Sequence, residues 1–263
     1  MIRPGLPLVM VLGACAGAAP TGDSAEASDM GADEARFAVG GRIADLGDEP
    51  VVDVFVTVST EFCTPDRTDD DGAFEVAEVS PGAKRLITYG ETAANGLFAS
   101  VVFAFEADET TVFADPVLAP ALTEIHPVDP DATEEQVLES TDGLSLTIPV
   151  GSLTVAAFAP DEVQVARVPV ERAPPFVPEE VVILDLFVLH PIRSTFDPPA
   201  PVAFPADTHL APGTAVLFHS LDYETGELIP VAAGTVDADG RPVTDEGQGL
   251  VELTWIALSQ EPS

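Results

Sequence analysis

Two acidic turns set carboxylates directly ahead of a glycine, Asp69-Asp70-Asp71-Gly72 and Asp237-Ala238-Asp239-Gly240. A calcium loop of the EF-hand kind needs oxygen ligands at its positions 1, 3, 5 and 12 and a glycine at 6. With Gly72 sixth, Asp69, Asp71 and Glu78 fall on ligand positions, but Arg67 stands first. With Gly240 sixth, Asp237, Asp239 and Glu246 fall correctly and Thr235 stands first. Neither loop is complete, and both sit between strand-like runs. Asp69, Asp71, Asp237 and Asp239 are therefore weak calcium candidates, beside the plainer role of Asp and Gly in hairpin turns.

The other reactive side chains do not assemble into a motif. His126, His190, His209 and His219 form no H-x-H or H-x-x-x-H pair, so no zinc set is read from them. His126 and His190 each precede a proline, where a backbone role is expected. No G-x-S-x-G, P-loop, strand-linked G-x-G-x-x-G or H-E-x-x-H occurs. Glu179-Glu180 could serve glycoside cleavage only as any two of 45 acidic residues could. Cys63 lies near Asp66 and Asp69, whose charges oppose a reactive thiolate; a packed side chain is the expected role. The expectation is a protein without catalysis, with calcium the one cofactor left open.

Cys15 is a different matter. Ahead of it run Met1-Ile2-Arg3, an apolar stretch and small residues, which read as an export signal too short to span a bilayer. Leu12-Gly13-Ala14-Cys15 resembles the lipobox of bacterial lipoproteins. That resemblance implies removal of residues 1–14, diacylation of the Cys15 sulfur and an acylated N-terminus, and multiple chains anchor where one binds only marginally. The small, polar segment 15–36 suits a flexible tether. Ala14-Cys15-Ala16 also fits a plain secretory cleavage site, and a structural cysteine is a third reading. With Cys15 acylated, Cys63 is the only thiol left and no internal disulfide can form. By the same resemblance, Ala16 in place of Asp favours the outer membrane.

The elements that must carry these residues follow from composition and period. The chain has 263 residues, 46% apolar, with 25 Pro and 20 Gly, which disfavours long helices and permits a core. Ten Lys and Arg stand against 45 Asp and Glu, a formal charge of -35. That balance excludes nucleic acid as a partner, and adsorption to anionic lipid headgroups as well. No acidic run exceeds Asp69–Asp71, so the charge is spread over the surface rather than gathered in a tail.

Val52, Val54, Val56 and Val58 alternate with Asp53, Phe55, Thr57 and Ser59, the period of a strand with one face on a core. Strand runs and turns continue through Phe113, predicting a sandwich of six or seven strands. On Gly41, Ile43, Val54, Val56, Thr68, Asp69, Asp71, Gly72, Phe74, Pro81 and Gly82, residues 37–118 resemble the carboxypeptidase regulatory-like domain. The resemblance implies a transthyretin-like β-sandwich, an accessory module in that family, with residues 61–67 as an insertion. Residues 119–139, proline-rich, acidic and free of Lys and Arg, read as a linker, with a helical turn over Thr133–Leu138 capped by Thr133 and Gln136.

A second set of alternating runs fills 140–259. On Leu146, Ile148, Pro149, Gly151, Phe196, Pro199, Val202 and Pro205, residues 140–206 resemble the ZU-five β-sandwich, with Arg193 or Ser194 standing where glycine is usual. Three or four further strands are predicted up to Leu258, with Trp255 in the core. The whole reads as an all-β chain of two antiparallel β-sandwiches on a lipid-anchored tether in the cell envelope. Its expected partners are the bilayer, through acylated Cys15, and an envelope protein or a glycan. The preferred role is non-catalytic binding, scaffolding or envelope structure. The alternatives are a carbohydrate-binding module, for which one Trp and two Tyr are a thin supply of stacking rings, and a calcium-stabilised adhesin-like protein.

Overall fold

The computed structural model describes residues 36–59, 63–157, 159–178 and 181–260. The leader, residues 15–35 of the expected tether with Cys15, and Glu179-Glu180 lie outside them. Among the described residues the fold is all-β, its strands paired antiparallel except for two short parallel pairs in the first sheet, with only short 3-10 turns beside them.

The first unit comprises β1 (Phe37–Ala44), β2 (Phe55–Ser59), β3 (Cys63–Arg67), β4 (Ala73–Val79), β5 (Gly82–Tyr89), β6 (Val101–Ala107), β7 (Thr111–Val112) and β8 (Val117–Leu118). One sheet runs β4-β1-β7 with β8 also on β1, and the other runs β3-β2-β5-β6. The valine alternation holds in part: Val54, Val56 and Val58 are buried in the same core as Val76 and Leu86, while Val52 is half-buried and Thr57 and Ser59 on the opposite face are buried too. The stretch read as an insertion is largely strand, because β3 pairs back on β2 from Ser59↔Cys63 to Phe55↔Arg67.

The second unit comprises β9 (Glu124–Pro127), β10 (Gln136–Glu139), β11 (Ser145–Ile148), β12 (Leu153–Thr154), β13 (Glu162–Arg167), β14 (Ile183–His190), β15 (Thr195–Ala200), β16 (Val202–Ala203), β17 (Ala215–Asp222), β18 (Glu227–Val236), β19 (Pro242–Thr244), β20 (Leu250–Glu252) and β21 (Trp255–Gln260). A ten-stranded sheet has the order β10-β11-β16-β19-β18-β17-β21-β14-β13-β9, and β12-β15-β20 form a small second sheet. The long sheet folds over a core in which Phe204 meets Phe187 and Phe218 edge to face, at 5.4 and 5.6 Å between ring centroids.

The segment read as a linker is part of this sheet. β9 pairs with β13 and β10 with β11, so the two strands of 119–139 form the opposite ends of the ten-stranded ladder. In place of a helical turn at Thr133, the Gln136 side chain pairs with the Asp129 backbone: Oε1 accepts its N–H and Nε2 donates to its C=O, both at 2.8 Å. These two bonds reproduce a ladder pair, so extended backbone is satisfied and the capping box is not formed.

Because the sheet folds over, its ends approach each other. Glu124 Oε1, on β9, accepts from the Thr141 N–H at 2.7 Å and the Thr141 hydroxyl at 3.1 Å, just beyond β10. The seam between β9 and β10 is thus bridged at both ends by side chains, with no backbone ladder across it.

The two units share one core. Leu186 and Val188 of β14, Trp255 and Ala257 of β21, and Leu221 and Leu228 belong to the same buried cluster as the first sandwich's valines. Neighbouring Phe187, Leu189, Ile256 and Leu258 point into the second unit's own core. Both faces of β14 and β21 are therefore covered, which explains why apolar residues occupy both sides of each strand. The Trp255 indole donates to Ser100 O at 2.7 Å, and Phe176 packs edge to face on it at 5.1 Å. Arg85 donates to the carbonyls of Tyr223 and Glu224. Gly226, at φ +75, lies against the backbone of Phe103 and Ala104, where a Cβ would come within 2.9 Å of Ala104 N.

Candidate functional site

The acidic turns resolve into a backbone device. Asp69 Oδ1 accepts the N–H groups of Asp71 and Ala73, both at 2.9 Å, while Asp69 N donates to Ala73 O. Asp237 Oδ1 accepts those of Asp239 and Arg241 at 2.9 and 2.8 Å, with Asp237 N donating to Arg241 O. Asp45 repeats the pattern on Gly47 and Glu49. In each turn the residue three after the aspartate is left-handed: Asp48 at φ 66, Gly72 at 75 and Gly240 at 82. A carboxylate oxygen already holding two N–H donors is poorly placed to bind a cation, and no cluster of three or more metal-ligating side chains occurs among the described residues. Asp69→Ala and Asp237→Ala are each expected to cost about 1–3 kcal/mol, the worth of hydrogen bonds to a charged acceptor. Urea titrations with and without millimolar calcium should give the same loss; a loss that calcium abolishes would restore the metal reading.

The histidines fall in separate places. His126 Nε2 lies 3.1 Å from Glu124 Oε1 inside the seam. His190 Nδ1 lies 2.7 Å from Gln164 Oε1, and burial holds its pKa below the usual value against the opposing charges of Glu91 and Glu162. His219 Nε2 lies 2.8 Å from Ser259 Oγ and is likewise lowered by burial. His209 is exposed and left-handed at φ 57. Arg193, at the position where the ZU-five resemblance leads one to look for glycine, is left-handed too, at φ 67.

The clearest concentration of charge, missed from the sequence, is Arg167 at the end of β13. Its Nε and Nη2 donate to the two oxygens of Asp185 at 2.9 Å, and its Nη1 and Nη2 to Asp207 at 2.7 and 2.9 Å. The guanidinium also stands 5.6 Å over the Phe187 ring. The Asp185 side chain is 3% exposed, and burial raises its carboxyl pKa despite the arginine. Arg167 holds Asp207 below its usual range. Arg167 and Asp185 line a cleft of about 350 Å³ together with Asp142, Val168, Pro169, Val170 and Leu184. Every guanidinium nitrogen is already committed, so the cleft is a clasp joining β13, β14 and the 3-10 turn Ala206–Thr208.

Other cations are spent in the same way. Arg172 pairs with Asp48 across the two units at 2.6 Å, and Arg67 with Asp53 at 3.0 Å. Arg42, Lys84, Arg85 and Arg241 donate to backbone carbonyls. These basic groups thus act as internal staples within and between the two units.

The tryptophan and one of the two tyrosines, the rings best suited to stack on a glycan, are buried. Trp255 is 0% and Tyr223 6% exposed at the junction of the units, and Tyr89 is half-buried against Phe55. The Cys63 side chain is outside the described atoms.

No family model matches this chain, and no curated protein does. Among solved structures, it is similar over 87% of its length to a DUF3823 family protein from Parabacteroides merdae, covering 99% of that chain at 9% identity and a TM-score of 0.29. It also aligns with the Bacillus anthracis TIE protein (87% of this chain, 49% of that one, 9% identity, TM-score 0.30). A third similarity is to the major pilin subunit of Bacillus cereus (85% and 95%, 10% identity, TM-score 0.24). The chain spans about half the length of the TIE protein. At such TM-scores these likenesses carry no argument about function.

Proposed function

We propose that this protein is an exported lipoprotein, acylated on Cys15 and held at the cell envelope, preferentially in the outer membrane. Its two β-units act together as one non-catalytic binding or scaffolding module. The observation that carries the module is the shared core. A tether ending in two independent beads would sample many relative orientations, whereas Trp255, Phe176 and the Gly226 turn fix one orientation and present both units as a single rigid surface. The burial of Trp255 and Tyr223 favours a protein partner over a stacked glycan.

The anchor rests on the residues around Cys15 alone. Growth with a labelled fatty acid should mark the wild-type protein and leave Cys15→Ala unmarked, with the wild type in the membrane fraction and the variant released from it. Equal labelling of the two would end the lipoprotein reading.

A further inference from the structure

We infer that the seam between β9 and β10 is an acceptor for an extended, basic segment of a partner protein, which adds as a strand between the two sheet ends. The inference deepens the reading of the protein as a binding module and is independent of the lipid anchor.

Each end strand has one paired edge, β9 on β13 and β10 on β11, and the free edges face each other. Free strand edges carry a row of unpaired N–H and C=O groups and template the addition of another chain. Here the missing ladder is replaced at two points only, by Gln136 on Asp129 and by Glu124 on Thr141. Both replacements are side chains, which can swing away without unfolding either strand. Ile125 and Val137, each about half exposed, flank the seam on its outer side and supply apolar contact for alternate residues of an added strand.

The charge of the occupant follows from the surroundings. Glu124, Asp129, Asp131, Glu134, Glu135, Glu139 and Asp142 lie on or beside the two strands, and no Lys or Arg occurs anywhere from 86 to 166. An acidic strand would be repelled and a basic one drawn in. The structure therefore selects alternating cationic and apolar residues in an extended conformation.

The test uses the full-length protein in neutral detergent and three synthetic peptides of equal length: alternating Lys-Val, alternating Lys-Pro and alternating Glu-Val. The Lys-Val peptide is expected to bind and to slow amide hydrogen exchange at residues 124–128 and 136–139. The Lys-Pro peptide, of the same charge but with half its N–H donors removed, should bind at least about tenfold more weakly, a ladder's contribution rather than a charge effect. Ile125→Lys and Val137→Lys are exposed changes that leave the fold intact and place like charge at the entrance, and each should weaken Lys-Val binding. Equal binding of Lys-Val and Lys-Pro, binding without protection at the seam, indifference to both lysine substitutions, or no binding would each overturn the inference. So would protection of the seam in a peptide-free dimer, because the occupant would then be a second copy. None of these results bears on acylation of Cys15, so failure here and failure of the lipoprotein reading are separable.

Discussion

Arg167→Met is expected to lower the unfolding free energy by about 3–5 kcal/mol, the cost of leaving one partner of a buried ion pair uncompensated. The side chain at risk is Asp185, 3% exposed and held by both ends of the guanidinium fork. Burial already raises the Asp185 pKa; removing Arg167 takes away both of its lowering influences and leaves only the Leu186 N–H to oppose burial and the charge of Asp207. The sign of the pH dependence follows. A carboxyl whose folded pKa lies above its unfolded value binds protons more tightly when folded, so the variant gains stability as pH falls through that raised value toward the ordinary range near 4. Urea titrations should therefore show a deficit that is largest at neutral pH and shrinks on acidification. Asp207 works in the opposite sense in the wild type: its lowered pKa gives a contribution present above the unfolded value and lost as pH falls. The double variant Arg167→Met/Asp185→Leu, with no charge left to bury, should recover most of the loss. A single variant as stable as wild type at neutral pH would show that the clasp is ornamental.

Trp255→Ala is expected to cost about 3–5 kcal/mol as a large-to-small change in a packed core. Its location makes the consequence specific. The indole sits between the two units, bonded to Ser100 of the first and stacked edge to face on Phe176. Wild-type protein should unfold in one calorimetric transition because the two units bury a common cluster. The variant should show two transitions, the first unit melting apart from the second. As the only tryptophan in the chain, Trp255 also lets intrinsic fluorescence follow the junction alone, so in the wild type its red shift should coincide with the far-ultraviolet transition. A fluorescence change well ahead of it would mean that the junction opens before either unit melts.

The parts of the fold that were legible in the sequence are those where one face of a strand meets one core. Val54, Val56 and Val58 are buried as the alternation requires, but it gave no sign that Thr57 and Ser59 on the opposite face are covered as well. The left-handed backbone was legible at Gly72, Gly82 and Gly240, where glycine marks it. It was hidden at Arg193, whose side chain gives no local sign of φ 67. The linker reading of 119–139 failed because short end strands with one solvent-facing side are polar by composition. Glu124 and Gln136 look like solvated residues, and only the ladder shows that their side chains stand in for missing backbone partners. Fusion of the two units left a trace that went unread: ILDLFVLH and WIALS are apolar on both faces, which one sandwich alone does not require. The Arg167 clasp left none, since its three members are 18 and 40 residues apart.

β1 is where the described chain begins, and it lies in the interior of its sheet, with β4 on one flank and β7 and β8 on the other. A pull on the chain ahead of Phe37 cannot peel this strand away bond by bond from a free edge. It must slide β1 past both flanks, loading the rungs from Phe37↔Val79 to Arg42↔Ala73 together with the parallel contacts at Val39–Gly40 and Ile43–Ala44. Tension entering at this strand spreads through the common core into β14 and β21. The geometry is that of a mechanical coupling: a load on the second unit would reach the chain ahead of Phe37 through the shared core and shear-resistant strands.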